Sequence, residues 1–294
     1  MKKTTHVNID GDVILYAVGF AAQATEYHVD GKQFDAKLDA TDYCDKYNLE
    51  HSDIDVAVRP EPVEHCLSSV KRMLKRIVEE SEAVTSTVLL SGSANFRTEV
   101  ATIQPYKGNR KADKPYHYGN IRNYLLNVHR AHVCEGEEAD DQLSIRACVA
   151  GHTIATIDKD LDNTAGWHYN WNTKVLYEVT PVEADRNFYK QLLTGDATDN
   201  IPGLYRITGT RASAAMKARI DEEREPAAMY DIVFSIYKEA LQALEEEDRT
   251  VSITNSNVAS IIQELGRLLW MRRTENELWQ RPKQNQPTTS SAQQ

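Results

Sequence analysis

The chain has 294 residues, 41% hydrophobic and 27% charged, with 34 Lys+Arg against 44 Asp+Glu for a net charge of −10. That composition belongs to a folded, water-exposed chain and excludes fibrous or wholly disordered classes. No apolar run approaches the ~18–20 residues needed to span a bilayer, so no membrane partner is expected.

The opening MKKTTHVNIDGDVILYAVGF mimics an export signal. Asp10 and Asp12 interrupt its apolar stretch, and no small-residue cleavage site follows. A cytoplasmic location is therefore expected. His6–Asp10 reads as a strand running into Gly11-Asp12. Residues 31–61 are acid-rich and carry no recognisable chemistry, beyond a turn expected at Val29–Lys32 (VDGK). Pro62–Glu82 places Val63, Cys66, Leu67, Val70, Leu74, Ile77 and Val78 at helical spacing. Ser86–Leu90 is a second strand, ending at Ser91-Gly92.

Between Gln104 and His132 the charge balance reverses. Lys107, Arg110, Lys111, Lys114, Arg122 and Arg130 face only Asp113, and Tyr106, Tyr116 and Tyr118 are interleaved. Cations with aromatic rings suit a phosphate backbone and its bases, although a solvated basic helix face has the same composition. Tyr118–Val128 reads as a helix, Ala131–Cys134 as a third strand leading to EGEEADD, and Glu138–Val149 as the next helix. Thr153–Ile157 is a fourth strand, leading to DKDLD, and Val175–Val179 a fifth, alternating one near an edge. From Pro181 onward strand signals stop. Helices follow, joined by Gly- and Pro-marked turns, including a hairpin over Ile201–Met216. The expected fold class is α/β, a mostly parallel central sheet flanked by helices (1–182), then a helical region (183–282). The polar residues 283–294 are expected to be a disordered tail.

In a parallel sheet the carboxyl ends of the strands share one edge, and acids recur there. Asp10 ends the first strand; Glu138, Asp140 and Asp141 follow the third; Asp158 and Asp160 follow the fourth. Asp196 and Asp199 lie in GDATDN, where the helical region begins. Any one of them could be a turn or helix cap. Together they would repel one another unless a cation intervened, and oxygen-only donors suit Mg²⁺. Two ions ~3.5–4 Å apart can activate a water and stabilise the leaving oxygen of a phosphodiester. No Cys or His cluster has zinc spacing. Cys44, Cys66, Cys134 and Cys148 form no C-x-x-C pair and are expected to be reduced, buried or half-buried thiols. The acidity does not argue against nucleic acid: residues 221–248 carry −8 and the eight candidate ligands another −8, leaving the rest at +6.

A competing chemistry uses the same opening residues. Asp10-Gly11-Asp12-Val13 fits the D-x-D-x-[TV] motif of haloacid-dehalogenase-type phosphatases, with Asp10 as nucleophile, Asp12 as acid/base and Ser91 in a second motif. It leaves EADD and the helical region without a role.

IDGD, PYKGNRKADKP, EGEEADD, TIDKDLD and GDATDNIPGL, in that order, resemble the bacteriophage 5′→3′ exonuclease and flap-endonuclease family. That family is related to the nuclease domain of bacterial DNA polymerase I. The resemblance covers roughly residues 6–216, and GRLLWMRRTENELWQRP is similar to the C-terminus of short podovirus-type exonucleases. It implies a PIN-like core with a helix–three-turn–helix, and a two-metal hydrolase dependent on Mg²⁺, with Mn²⁺ able to substitute. Asp10, Glu138, Asp140 and Asp141 would hold the first ion, and Asp158, Asp160, Asp196 and Asp199 the second. Lys107 and Arg110 would act at the scissile phosphate. Tyr106, Lys111, Gly203, Arg206, Gly209 and Arg211 would contact DNA. The implied partner is double-stranded or branched DNA with a 5′ end, with RNA–DNA hybrid as a further substrate. The implied role is phage DNA replication or host DNA degradation, performed by a monomer.

Two positions depart from the family pattern. Gly92 stands where relatives usually carry an Asp, and the hairpin's G-I-G reads Arg206-Ile207-Thr208-Gly209. The first departure supports a non-catalytic, DNA-structure-binding alternative. A small PIN-type ribonuclease would share the core and leave the hairpin unexplained.

Overall fold

The computed structural model describes residues 4–110, 113–247 and 254–283. Lys111 and the expected tail beyond Lys283 lie outside these residues.

The chain opens with β1 (His6–Asp10) and α1 (Gly11–Ala21), and continues through β2 (Gln23–Val29), β3 (Lys32–Phe34), α2 (Lys37–Tyr47) and β4 (Asp55–Pro60). Next come α3 (Val63–Glu80), β5 (Thr85–Asn95), the single turn α4 (Arg97–Val100), α5 (Tyr118–Asn127), β6 (His132–Gly136) and α6 (Ala139–Ala147). β7 (His152–Ala155), β8 (Gly166–Asn170) and β9 (Val175–Val179) complete the larger sheet. Beyond it lie α7 (Pro181–Thr194), the two-residue strands β10 (Gly195–Asp196) and β11 (Ile201–Pro202), α8 (Leu204–Thr208), α9 (Ala214–Asp221), α10 (Pro226–Glu247) and α11 (Asn255–Leu269).

The central sheet has the order β6-β5-β1-β7-β8-β9. All its pairs are parallel except β8–β9, so the fold is α/β with one antiparallel strand, Val175–Val179, at the edge where its alternation places a strand. β1 is central, with β5 on one side and β7 on the other. Its Val7 and Ile9 on one face and Asn8 and Asp10 on the other are all buried, the pattern of a strand covered on both faces. The order reverses at β1, so the crevice beyond its carboxyl end is where an α/β sheet offers a site.

The segment that mimics an export signal is α1. Ile14, Leu15 and Val18 pack with Val70, Leu74 and Ile77 of α3 in the core on one face of the sheet. On the other face Leu143 and Ala147 of α6 meet Leu89 and Ile154. Helices α7 to α11 build a separate cluster around Phe188, Leu192, Met229, Val233, Ile262 and Leu265. Among the described residues no helix is long and apolar enough to cross a membrane.

Residues 23–60 form an antiparallel sheet, β3-β2-β4, that sequence reasoning missed. Its strands carry few apolar residues, and all of β4 except Pro60 is exposed, so no buried face leaves a period in the sequence. The Val29–Lys32 turn is present: Val29 pairs with Lys32, and Asp30 and Gly31 both have positive φ (51° and 71°). Both signs suit the right-handed twist of a two-residue hairpin. β8 was missed too, because its Gly-Trp-His start carries no apolar run.

Candidate metal and phosphate site

Three strands deliver their C-terminal residues to one crevice. Asp10, 1% exposed, ends β1. Its Oδ1 accepts from the Val13 amide (3.0 Å), capping α1, and its Oδ2 accepts from the Thr156 hydroxyl (2.8 Å) just past β7. The Thr156 oxygen in turn accepts from the Asp158 amide (3.0 Å), and Asp158 Oδ1 accepts from the Asp160 amide (2.9 Å). One hydroxyl thus sets the spacing between the two acid groups. Asp12, in the first turn of α1, accepts from the Ser91 amide at the end of β5 (2.9 Å), while Ser91 Oγ accepts from the Ala139 amide (2.9 Å). That contact seats the start of α6, where Glu138 and Asp140 emerge.

The second limb comes from the helical region. After α7 the chain turns at Gly195, and Asp196 Oδ1 accepts from the amides of Thr198 (2.7 Å) and Asp199 (3.3 Å). The 105–110 loop is tied to this turn by four bonds to backbone carbonyls, one of them from Arg110 Nε to Thr198 O (3.4 Å). The others run from Lys107 N to Asp199 O (2.8 Å), from Asn109 Nδ2 to Ala197 O (2.7 Å) and from Asn200 Nδ2 to Pro105 O (2.8 Å). The loop's side chains then meet the acids. The Tyr106 hydroxyl lies 2.8 Å from Glu138 Oε2 and 2.6 Å from Asp199 Oδ2. Lys107 Nζ pairs with Glu138, and Arg110 with Asp199 Oδ1 (2.6 Å).

The result is two adjoining hollows. One, of about 530 Å³, is lined by Asp10, Asp12, Glu138, Asp140 and Asp158 with Lys107 and Arg110. The other, of about 210 Å³, shares Glu138, Asp140 and Asp158 and adds Asp160, Asp196 and Asp199. Seven of the eight carboxylates expected as ligands therefore line one continuous surface.

Their electrostatics are unbalanced. Burial, then the charges of Asp12 and Asp158, push the Asp10 carboxyl up to about 7. Burial, then Asp10 and Glu138, raises Asp140 well above the usual carboxylate range. Burial and Asp158 push Asp160 up to about 6. Among the described residues the ion pairs to this set fall on Glu138 and Asp199, and none reaches Asp10, Asp140 or Asp158. An all-oxygen set carrying uncompensated charge suits a hard divalent cation. The side chains as placed do not yet form a cage: among the described residues no three His, Cys, Asp or Glu groups surround a common point. Glu138 and Asp199 are turned onto Tyr106, Lys107 and Arg110 instead.

No family model and no curated protein sequence matches the chain. Several solved structures are similar to it. The T5 D15 protein co-crystallized with metal ions shares 14% identity, over 87% of this chain and 99% of that one, with a TM-score of 0.43. A T5 5′-exonuclease mutant shares 12%, over 88% and 99%, with the same TM-score of 0.43. What the crevice does rests on its own residues.

Not every expected site residue reaches it. Asp141 is fully buried behind α6, with both oxygens on the Arg97 guanidinium (2.6 and 2.9 Å) and further bonds from the Arg272 and Glu138 amides (3.2 Å each). It is an anchor for the helix that carries Asp140, because a carboxylate already bound by a buried arginine has no free lone pairs to offer. Gly203 is buried where a Cβ would come within 2.3 Å of the Thr194 carbonyl carbon, so it serves a backbone crossing and presents nothing to a ligand. Arg206 reaches back to Gln104 and to Asn200 Oδ1 (2.7 Å), holding the 105–110 loop. Gly209, with φ +77° and open space around it, ends α8 in the exposed turn before α9, and Arg211 stacks there on Tyr205 (4.7 Å). At Gly92 a Cβ would meet Cys134 O and Glu135 Oε2 at 2.5 Å, so this backbone leaves no room for a side chain there. The cysteines are unpaired as expected, with Cys148 exposed rather than half-buried.

Three residues were missed: Asp12 as a lining carboxylate, Thr156 as a spacer and Arg97 as an anchor. Asp12 had a signal, being two residues from Asp10. Arg97 had none, since its partner lies 44 positions away.

Proposed function

We propose that this chain is a divalent-metal-dependent nuclease of the phage 5′→3′ exonuclease and flap-endonuclease family, cutting DNA phosphodiesters from 5′ ends of duplex or branched substrates. The observation that carries this reading is the meeting of seven carboxylates, from the ends of β1, β7 and α7 and the start of α6, with Lys107 and Arg110 on the same surface. Acids alone would suit a cation store and cations alone a phosphate clamp; the two sets together suit hydrolysis of a phosphodiester.

In that reading Asp10, Glu138 and Asp140 would hold one Mg²⁺ and Asp158, Asp160, Asp196 and Asp199 a second, with Mn²⁺ as a substitute. When bound, the ions supply Lewis-acid activation of water and neutralise the leaving oxygen. Lys107 and Arg110 exchange Glu138 and Asp199 for phosphate oxygens, freeing those carboxylates at the moment that substrate arrives. Tyr106 holds Glu138 and Asp199 at hydrogen-bond distance until then. Arg211 and the exposed α8–α9 turn face the duplex backbone, in a grip that reads no bases. RNA–DNA hybrid is a further substrate of the same geometry, and replication or host-DNA degradation in an infected cell's cytoplasm is the implied setting.

The phosphatase reading is weakened by Asp10, whose oxygens are both engaged in a 1%-exposed position where a nucleophile would need access. The test is linear duplex DNA labelled at one 5′ end, incubated with Mg²⁺ or with chelator. Short labelled products that need Mg²⁺, with closed circles spared, are the expected result. Asp158→Ala should lower the rate by more than about a thousandfold while the far-UV spectrum is unchanged. Binding without cleavage by the unaltered chain would point to the DNA-structure-binding alternative.

A further inference from the structure

β4 is an edge strand, paired only with β2 in the order β3-β2-β4. Its outward groups follow from the ladder. The Glu61 amide donates to Ala22 O (2.9 Å), so residues 22 and 61 form a bonded pair continuing the register Gln23–Pro60. Alternation then turns the backbone groups of Asp55, Ala57 and Arg59 toward β2 and those of Val56 and Val58 outward. Among the described residues neither valine has a hydrogen bond outside its own sheet, and their side chains are 61% and 45% exposed. Pro60, with no N–H, faces outward at the end of the strand.

The sequence of this edge, Asp55-Val56-Ala57-Val58-Arg59, is self-complementary about Ala57. We propose that β4 pairs antiparallel with β4 of a second copy, joining two small sheets into one across a two-fold axis at Ala57. Val56 and Val58 of one copy then exchange hydrogen bonds with Val58 and Val56 of the other, the outward pair on each strand matching the outward pair on its mate. Ala57 faces Ala57, so nothing bulky crowds the closely spaced pair on the axis. Asp55 faces Arg59 of the mate, twice by symmetry. Arg59 already lies against Glu26 (3.0 Å) while 73% exposed, so it can bridge Glu26 within its own copy and Asp55 of the mate. Sliding the mate by two residues either way sets Asp55 or Arg59 against Ala57 and loses this pairing. Sliding by one sets outward groups against inward ones. The register is therefore specified by charge and by bonding parity together. Each copy uses its single β4 edge, so the contact closes as a dimer instead of propagating into a fibre.

The experiment is sedimentation velocity on the full chain over a wide concentration range. The expected result is reversible conversion of the 33.3 kDa species to one of twice that mass. Val58→Pro removes an amide that the monomer does not use, and should abolish the heavier species with the melting temperature little changed. Asp55→Arg or Arg59→Asp alone should weaken it about tenfold by opposing like charges. The double charge swap D55R/R59D restores complementarity and should restore association, an outcome that a merely misfolded sheet would not give. A single-chain mass at every concentration overturns the proposal, as does a dimer indifferent to V58P. Failure of the double swap to restore association overturns the register.

Discussion

Asp10 shows what a carboxylate costs when the fold buries it with no cation beside it among the described residues. Its acidity is shifted from 3.8 to about 7 by burial first, with Asp12 and Asp158 adding repulsion, while the Val13 amide and Thr156 hydroxyl act against the shift. The folded state therefore holds a proton that the unfolded state has released. In that window the folded chain binds more protons, so stability falls as pH rises from about 4 to about 7. With chelator present, the melting temperature should decline over that range. Asp10→Asn should flatten the decline and raise stability near neutral pH, as expected where a functional site is held against its own repulsion. Adding Mg²⁺ should restore stability at pH 7 in the unaltered chain, because a ligand that binds only the folded state stabilises it. A pH-independent melting temperature in chelator would remove this account of the acid cluster.

At the scale of elements, the junction between α7 and α8 decides how the second group of acids meets the first. Gly195 and Gly203 cross with no room for a side chain on either, since a Cβ on Gly195 would lie 2.3 Å from Gly203 N. The short β10–β11 pair forms across this contact and holds Asp196 at the crevice. Gly203→Ala should therefore cost about 3 kcal/mol or more, because backbone cannot move aside as a side-chain tip can. Gly209→Ala is the control. It sits at φ +77° in open space, so only the left-handed conformation is penalised, at about 1 kcal/mol. Urea unfolding of the two variants measures both. Equal costs would mean that the crossing is looser than its geometry implies.

Across the whole molecule, Arg97 joins the α/β core to the C-terminal chain. Its guanidinium holds Asp141 at the start of α6 and also donates to the carbonyls of Leu268 (2.8 Å) and Trp270 (2.9 Å). Arg272 adds a second tie, to Glu137 (2.8 Å), and Trp279 packs against Gly266. The helix carrying Asp140 is thus braced by residues more than 120 positions later in the chain. Arg97→Met strands the Asp141 charge in the interior and should cost about 3–5 kcal/mol. Asp141→Leu should cost a similar amount, and the double variant R97M/D141L clearly less than their sum. Additive losses in thermal unfolding would show that the pair is not one unit.

The acids at the strand ends, the alternating edge strand and the Val29–Lys32 turn were legible in the residues alone. Each depends on local features: an apolar run, an alternation, an Asp-Gly pair whose backbone permits one kind of turn. The gathering of acids at one crevice was legible for the same reason, since a parallel sheet sends all its carboxyl ends to one edge wherever its strands lie. Which carboxylates stay available was not. Asp140 and Asp141 are neighbours in sequence, yet one lines the hollow and the other is taken by Arg97. Successive residues of a helix point about 100° apart, and only the packed chain shows what each direction meets. The small sheet of residues 23–60 was illegible too: strands that are half-buried or exposed nearly throughout leave no hydrophobic period to read. Spacing along the chain by itself determined which kind of side chain gathers at the sheet edge. Tertiary contact alone decided which of those side chains line the crevice, because an ion pair between distant residues leaves no mark on either one's neighbours.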